Sequence, residues 1–215
     1  DFILEKNNAG NHGTYVEFIP SQEVYNLEPI HIDFEEVKKM CRDWSYLCKG
    51  ITFRLFNHIT DEEVIYLSKN GLLDLMEECG GNALNKTPLH IEVEEGGIKA
   101  ELVMEWTDSR YEDWHVFTNG LENVEGGTSL TGIKTALTNF FKKKVKGEAN
   151  PDILRKGLFY AVSCKVPNPS FANQTKTKVN NPELRGLCQR ATNQMLDDFQ
   201  KKHSDEFEKI LDLLT

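Results

Sequence analysis

Residues 173–178 (NQTKTK) contain no apolar side chain, yet they follow closely on the strongly apolar run 158–166 (LFYAVSCKV). A loop that buries nothing at the end of a strand can aim amide, hydroxyl and ammonium donors together at a phosphate. The same composition describes a solvated loop, and residue types leave both readings open. Other candidates for chemistry carry less. His12, His31, His58, His90, His115 and His203 form no HxH or HExxH pattern, so no metal site is expected. Cys41, Cys48, Cys79, Cys164 and Cys188 are odd in number with no CxxC pair. That spacing encodes neither a disulfide framework nor a zinc site, and a reducing cytoplasm is the expected location. Ser129 lies in GGTSLTG, where Thr131 breaks the GxSxG pattern of a nucleophile elbow. Gly126-Gly127-Thr128 precedes no GK[ST] and fits no GxGxxG, so it reads as a turn into a helix N-terminus. Such a terminus can hold an anion or simply end a loop.

The elements that must position these residues follow from periodicity and punctuation. The residues at 14–19 are β-branched and aromatic and predict a strand. Asp33 with Glu36 forms a capping box for a helix whose apolar positions run from Phe34 to Cys48, closed by Gly50. Strands are predicted at 51–56 and 63–67, and a short helix at 71–79. Strands at 89–94 and 98–106 flank Glu95-Gly96-Gly97 as a hairpin. A strand at 114–118, a helix at 131–146 and a central strand at 158–166 follow, the last stopped by Pro167 and Pro169. Pro182 opens a helix to 203, restarting near Ser204. The fold class is α+β: a mixed sheet with helices on one face and a long C-terminal helical arm.

The length of 215 residues, with 39% hydrophobic and 27% charged, suits one large domain or a domain with an appendage. No apolar run reaches membrane-spanning length, and the first residues are not a signal peptide. The start without Met suggests an excised piece. The net charge of −9 is unevenly spread. Residues 1–126 carry 10 Lys/Arg against 25 Asp/Glu, whereas residues 127–190 carry 12 against 3 and residues 191–215 carry 3 against 6. A basic stretch inside an acidic chain can face phosphate or be a solvated surface.

One set of motifs, in order, carries a resemblance. It comprises Gly13-Thr14 and Phe18-Ile19-Pro20-Ser21, then Phe117-Thr118-Asn119, Glu125-Gly126-Gly127-Thr128 and Leu130-Thr131-Gly132. It continues with Arg155, Gly157-Leu158, Lys165-Val166-Pro167-Asn168-Pro169, Phe171 and Gln174-Thr175-Lys176-Thr177-Lys178. This series resembles the transducer domain of the ATPase subunit of type IIA DNA topoisomerases, as in gyrase B and its counterpart in topoisomerase IV. The resemblance implies a fold like domain 2 of ribosomal protein S5, with one left-handed βαβ connection. It places the transducer at 1–181 and a helical arm toward a TOPRIM domain at 182–215. It implies that ATP and Mg2+ are held mainly by an N-terminal Bergerat-type (GHKL) domain, with no cofactor held by this stretch alone. Lys176 would contact the ATP γ-phosphate, with Gln174 beside it, so that hydrolysis removes the contact and lets the domains move. Lys134, Lys142, Lys143 and Lys144 would line a cavity for a transported double-stranded DNA segment, touching backbone phosphates without reading sequence. The implied partners are the ATPase and TOPRIM domains, a second B subunit and the A subunit, with no membrane. The chain by itself is expected to have no ATPase or relaxation activity. The contrasting reading is a stand-alone binding module that keeps the fold without the motor.

Overall fold

The computed structural model describes residues 12–18, 32–145 and 150–214. The chain divides into two compact units, Asp1–Val37 and Lys38–Thr215. In the first, residues 14–18 are exposed and belong to no strand, contrary to the expectation for 14–19. Propensity alone makes no strand without a ladder partner, and none pairs with 14–18 among the described residues. Ile19 lies outside the described residues. Asp33 caps helix α1 (Phe34–Leu47), its carboxylate accepting the Glu35 N–H at 2.9 Å.

In the second unit, strands β1 (Thr52–Asn57) and β2 (Glu62–Leu67) form a two-stranded antiparallel sheet of their own. Helix α2 (Leu72–Cys79) follows. The larger sheet contains β3 (Leu89–Glu95), β4 (Ile98–Trp106), β5 (Asp113–Thr118), β6 (Leu121–Glu122) and β7 (Leu158–Lys165), in the order β3-β4-β7-β5-β6. β7 is antiparallel to β4 and parallel to β5, so the sheet is mixed. Between β6 and β7 lies helix α3 (Thr128–Lys142) and a 3-10 turn (Ile153–Arg155); after β7 come α4 (Pro182–Lys202) and α5 (Ser204–Leu213).

β7 has seven buried residues in succession, and they alternate between two cores. Leu158, Tyr160, Val162 and Cys164 face a large cluster with α3, α4 and α5. Phe159 and Ala161 face a smaller one with Leu72, Leu75 and Met76 of α2 and with Tyr46 and Leu47 at the end of α1. Helices therefore cover both faces of the sheet, which corrects the one-face expectation. A strand apolar on both sides must be covered on both.

The C-terminal helices also differ from expectation. Rather than standing off as an arm, α4 and α5 bury Leu184, Cys188, Leu196, Phe199, Phe207 and Ile210 in the large core. Phe207 stacks on Phe141 with ring centroids 6.1 Å apart, and Trp106 meets Phe141 edge-on at 5.8 Å. α3 begins three residues earlier than periodicity predicts and ends earlier. Gly127 is its N-cap, and the Thr131 N–H already reaches the Gly127 carbonyl at 2.9 Å. Gly132 is needed where α3 meets α4, because a Cβ there would lie 2.3 Å from the Arg185 carbonyl oxygen. No helix among the described residues is long and apolar enough to cross a membrane.

Candidate functional site

The polar loop is built outward from the end of β7. Asn119, in left-handed conformation with φ 50°, mimics a strand partner. Its side chain accepts the Val166 N–H at 2.7 Å and donates to the Val166 carbonyl at 2.8 Å. Buried Asn181 closes the other side, accepting the Ser170 N–H at 2.6 Å and donating to the Asn168 carbonyl at 3.0 Å. Phe171 and Val179 then pair in an antiparallel bridge, and the Ala172 N–H donates to the Lys178 carbonyl at 2.9 Å. Residues 171–179 thus form a small excursion tied shut at its base.

The tip has its own internal order. The Asn173 carbonyl accepts the Lys176 N–H at 3.2 Å, and its side-chain oxygen accepts the Thr177 N–H at 3.1 Å. Lys176 adopts φ 59°, a left-handed conformation that costs a non-glycine residue about 1–2 kcal/mol. Neighbouring contacts offset that cost. Asn123, 0% exposed, donates from its side-chain nitrogen to the Lys176 carbonyl at 2.7 Å and accepts the Thr118 hydroxyl at 2.6 Å. The Thr177 hydroxyl donates to the Glu125 carboxylate at 2.6 Å, and the Glu125 N–H donates to the Thr177 carbonyl at 2.8 Å.

The two sequence motifs around Gly126-Gly127 and Lys176 are therefore one structural unit. Val179 bridges Gly127 in parallel register, its N–H donating to the Gly126 carbonyl at 3.0 Å and its carbonyl accepting the Thr128 N–H at 3.1 Å. A Cβ on Gly127 would sit 2.0 Å from that Val179 oxygen, at φ 127°. Only glycine lets the loop lie this close to the start of α3.

Gln174 and Lys176 are both exposed at the tip. The Lys176 ammonium lies 5.7 Å from the centre of the Phe171 ring, and no carboxylate pairs with it among the described residues. The loop presents an amide and a cation together, held by a fixed backbone, which suits an anionic ligand oxygen.

The four lysines named with the basic stretch are not equivalent. Lys142 and Lys143 are exposed at the end of α3. Lys134 pairs with Glu112 at 3.1 Å and lies over the Trp114 ring. Glu112 also accepts the Tyr160 hydroxyl at 2.7 Å and lies 3.1 Å from Nε of Arg155, which is only 8% exposed. Burial and the Glu112 charge push the Tyr160 hydroxyl well above its usual range. Lys144 donates to the Gln200 side chain at 2.8 Å and lies 4.4 Å from the centre of the Phe140 ring.

Sequence reasoning found the loop and missed the residues that hold it. Asn119 enters only as part of the Phe117-Thr118-Asn119 motif, and Asn123 and Asn181 are given no role. The signal available was slight: Asn tolerates left-handed backbone, and its amide can replace a missing ladder partner.

The sequence profile of DNA gyrase B matches residues 71–215, which include β3–β7, the loop and α3–α5. The chain belongs to the DNA gyrase B family. The gyrase B protein of Haloferax lucentense is 32% identical over 214 residues, covering 93% of this chain and 33% of the relative. That of Cytophaga hutchinsonii is 29% identical, covering 97% of this chain and 47% of the relative. The chain thus spans between a third and a half of these gyrase B relatives. Among solved structures, the 43K ATPase domain of Thermus thermophilus gyrase B superposes with a TM-score of 0.75 at 22% identity, over 91% of this chain and 55% of that one. The ATP-binding domain of topoisomerase IV from Francisella tularensis gives 0.74 at 23% identity, over 89% and 54%. At these identities the structural likeness establishes the fold, a mixed α+β arrangement shared with gyrase B structures.

Proposed function

We propose that this chain is the transducer of a type IIA topoisomerase of the gyrase B kind, relaying the nucleotide state of an upstream ATPase domain to movement of a DNA gate. The observation that carries this reading is the preformed loop at 171–179, where Lys176 is held in left-handed backbone, exposed, and with no carboxylate paired to its ammonium among the described residues. A strained residue persists only where its surroundings hold it, and such residues cluster at ligand-binding positions. Lys176 contacts the γ-phosphate of ATP held with Mg2+ by the ATPase domain, and Gln174 assists beside it. The fold reading extends to that of ribosomal protein S5 domain 2, with β5, α3 and β7 as its left-handed connection. The segment from residue 182 leads toward a TOPRIM domain.

Coupling follows from the loop's attachment. Movement of Lys176 is passed through the Val179–Gly127 bridge to the first turn of α3, and α3 is packed along α4. Loss of the terminal phosphate releases the lysine and with it that connection. In a dimer of B subunits working with A subunits, the exposed end of α3 lines the path of a transported DNA duplex. Lys142 and Lys143 are the readiest to meet phosphate; Lys134 and Lys144 must first leave Glu112 and the Phe140 ring.

The test is ATP turnover and ATP affinity of the full-length protein with Lys176→Ala. Removing a charge-assisted bond worth about 1.5–3 kcal/mol slows turnover by roughly 10- to 150-fold if the bond acts in the transition state. ATP binding is expected to persist, and residues 1–215 alone are expected to show no turnover. Unchanged turnover in the variant would favour the stand-alone binding module.

A further inference from the structure

A site unrelated to the loop lies at the opposite edge of the sheet. On β3, His90 and Glu92 alternate onto one face, and Glu101 of β4 is the direct cross-strand partner of Glu92. Two carboxylates placed opposite each other on paired strands repel unless a cation sits between them. Lys49 supplies that cation. Its ammonium lies 2.9 Å from Glu92 and 2.7 Å from Glu101. His90 completes the cluster, with Nε2 3.1 Å from Glu101 and 3.8 Å from Glu92. Glu101 is the most enclosed member, its side chain 17% exposed; burial raises its carboxyl, but the hydrogen bonds from the His90 ring and the Lys49 ammonium outweigh that and hold it below the usual range.

We infer that His90, Glu92 and Glu101 form a three-ligand site for a divalent transition-metal ion, which binds by displacing the Lys49 ammonium. One ligand atom from each residue lies within 4.8 Å of the other two. Ligands bonded at about 2.0–2.2 Å stand roughly 3.0–3.5 Å apart around such an ion. The separations of 3.1 and 3.8 Å need little adjustment, and ladder pairing fixes the three backbone positions. An imidazole with two carboxylates selects zinc, cobalt, nickel or manganese over magnesium or calcium, which prefer oxygen alone. Water completes the coordination, since the histidine and Glu92 are exposed. Lys49 belongs to the turn directly after α1, so exchange of lysine for metal frees that turn from the sheet.

Titration of the chain with Co2+ tests this without reference to ATP or DNA. Binding is expected to saturate at one equivalent, with no thiolate-to-cobalt charge-transfer band. His90→Ala and Glu101→Gln are each expected to weaken it by roughly tenfold or more. Lys49→Met is expected to tighten it roughly tenfold, the worth of breaking two partly exposed ion pairs. An unchanged melting temperature for His90→Ala, whose side chain is at the surface, distinguishes loss of a ligand from loss of fold. Saturable binding that survives both His90→Ala and Glu101→Gln would overturn the site. So would a charge-transfer band that Cys48→Ser removes, or absence of binding by the native chain and Lys49→Met alike.

Discussion

Lys176 shows how much a single side chain depends on residues that never touch its ligand. Its left-handed backbone is held by Asn123 from below and by Asn173 within the tip. Removing the buried amide with Asn123→Ala leaves the Thr118 hydroxyl and the Lys176 carbonyl short of a partner, at a cost of about 1–3 kcal/mol. Urea denaturation is expected to show that loss, and amide hydrogen exchange at 176–179 is expected to quicken more than at β7. A uniform rise in exchange would mean Asn123 supports the core rather than the loop.

Glu122 sets a second expectation at this scale. The His115 imidazole and the Lys39 ammonium lower its carboxyl from the ordinary 4.5 to about 2, despite partial burial. A carboxyl depressed in the folded state contributes stability that is present above its unfolded value and lost as pH falls. The native chain is therefore expected to lose stability between about pH 4.5 and 2, and Glu122→Gln is expected to flatten that part of the curve. Equal acid limbs for the two proteins would show that other carboxylates govern acid unfolding.

The elements meet at a few close approaches that decide the architecture. Gly127 lets the loop touch the start of α3, and Gly132 lets α3 approach α4. α5 is then fixed by aromatic packing of Phe207 against Phe140, Phe141 and Phe199. Phe207→Ala is expected to destabilise the whole unit by about 3–5 kcal/mol, with the urea midpoint reporting it. A helical arm outside the core would melt separately and leave the main transition in place, so the shape of the unfolding curve discriminates.

The charge of the whole molecule reads differently once its partners are known. The excess of cations at 127–190 includes Arg155, Lys134 and Arg190, which are internally paired with Glu112, Asp152 and Glu95. On the transducer proposal, fewer cations among the described residues are free to meet DNA than the sequence total suggests. Weak DNA binding by the chain is expected to fall steeply with salt. Lys142→Glu with Lys143→Glu is expected to abolish it, and each phosphate no longer neutralised lowers the salt slope by about 0.9. Lys134→Gln is expected to change it little. Filter binding across a salt series separates these outcomes, and salt-indifferent binding would remove α3 from the DNA path.

Most element types were legible in the sequence, because amphipathic periodicity and Gly/Pro punctuation act over a few neighbouring residues. The hairpin at Gly96-Gly97, the apolar strand β7 and the helix opening at Pro182 could all be read in this way. The motif series also identified the family. It took the packed structure to show that β7 needs cover on two faces, that α4 and α5 are core, and which lysines are already paired. Folding also brought His90, Glu92 and Glu101 together, and set three asparagine amides beneath the loop. These groupings join residues remote in the chain. They depend on strand register and helix approach, which local periodicity does not specify.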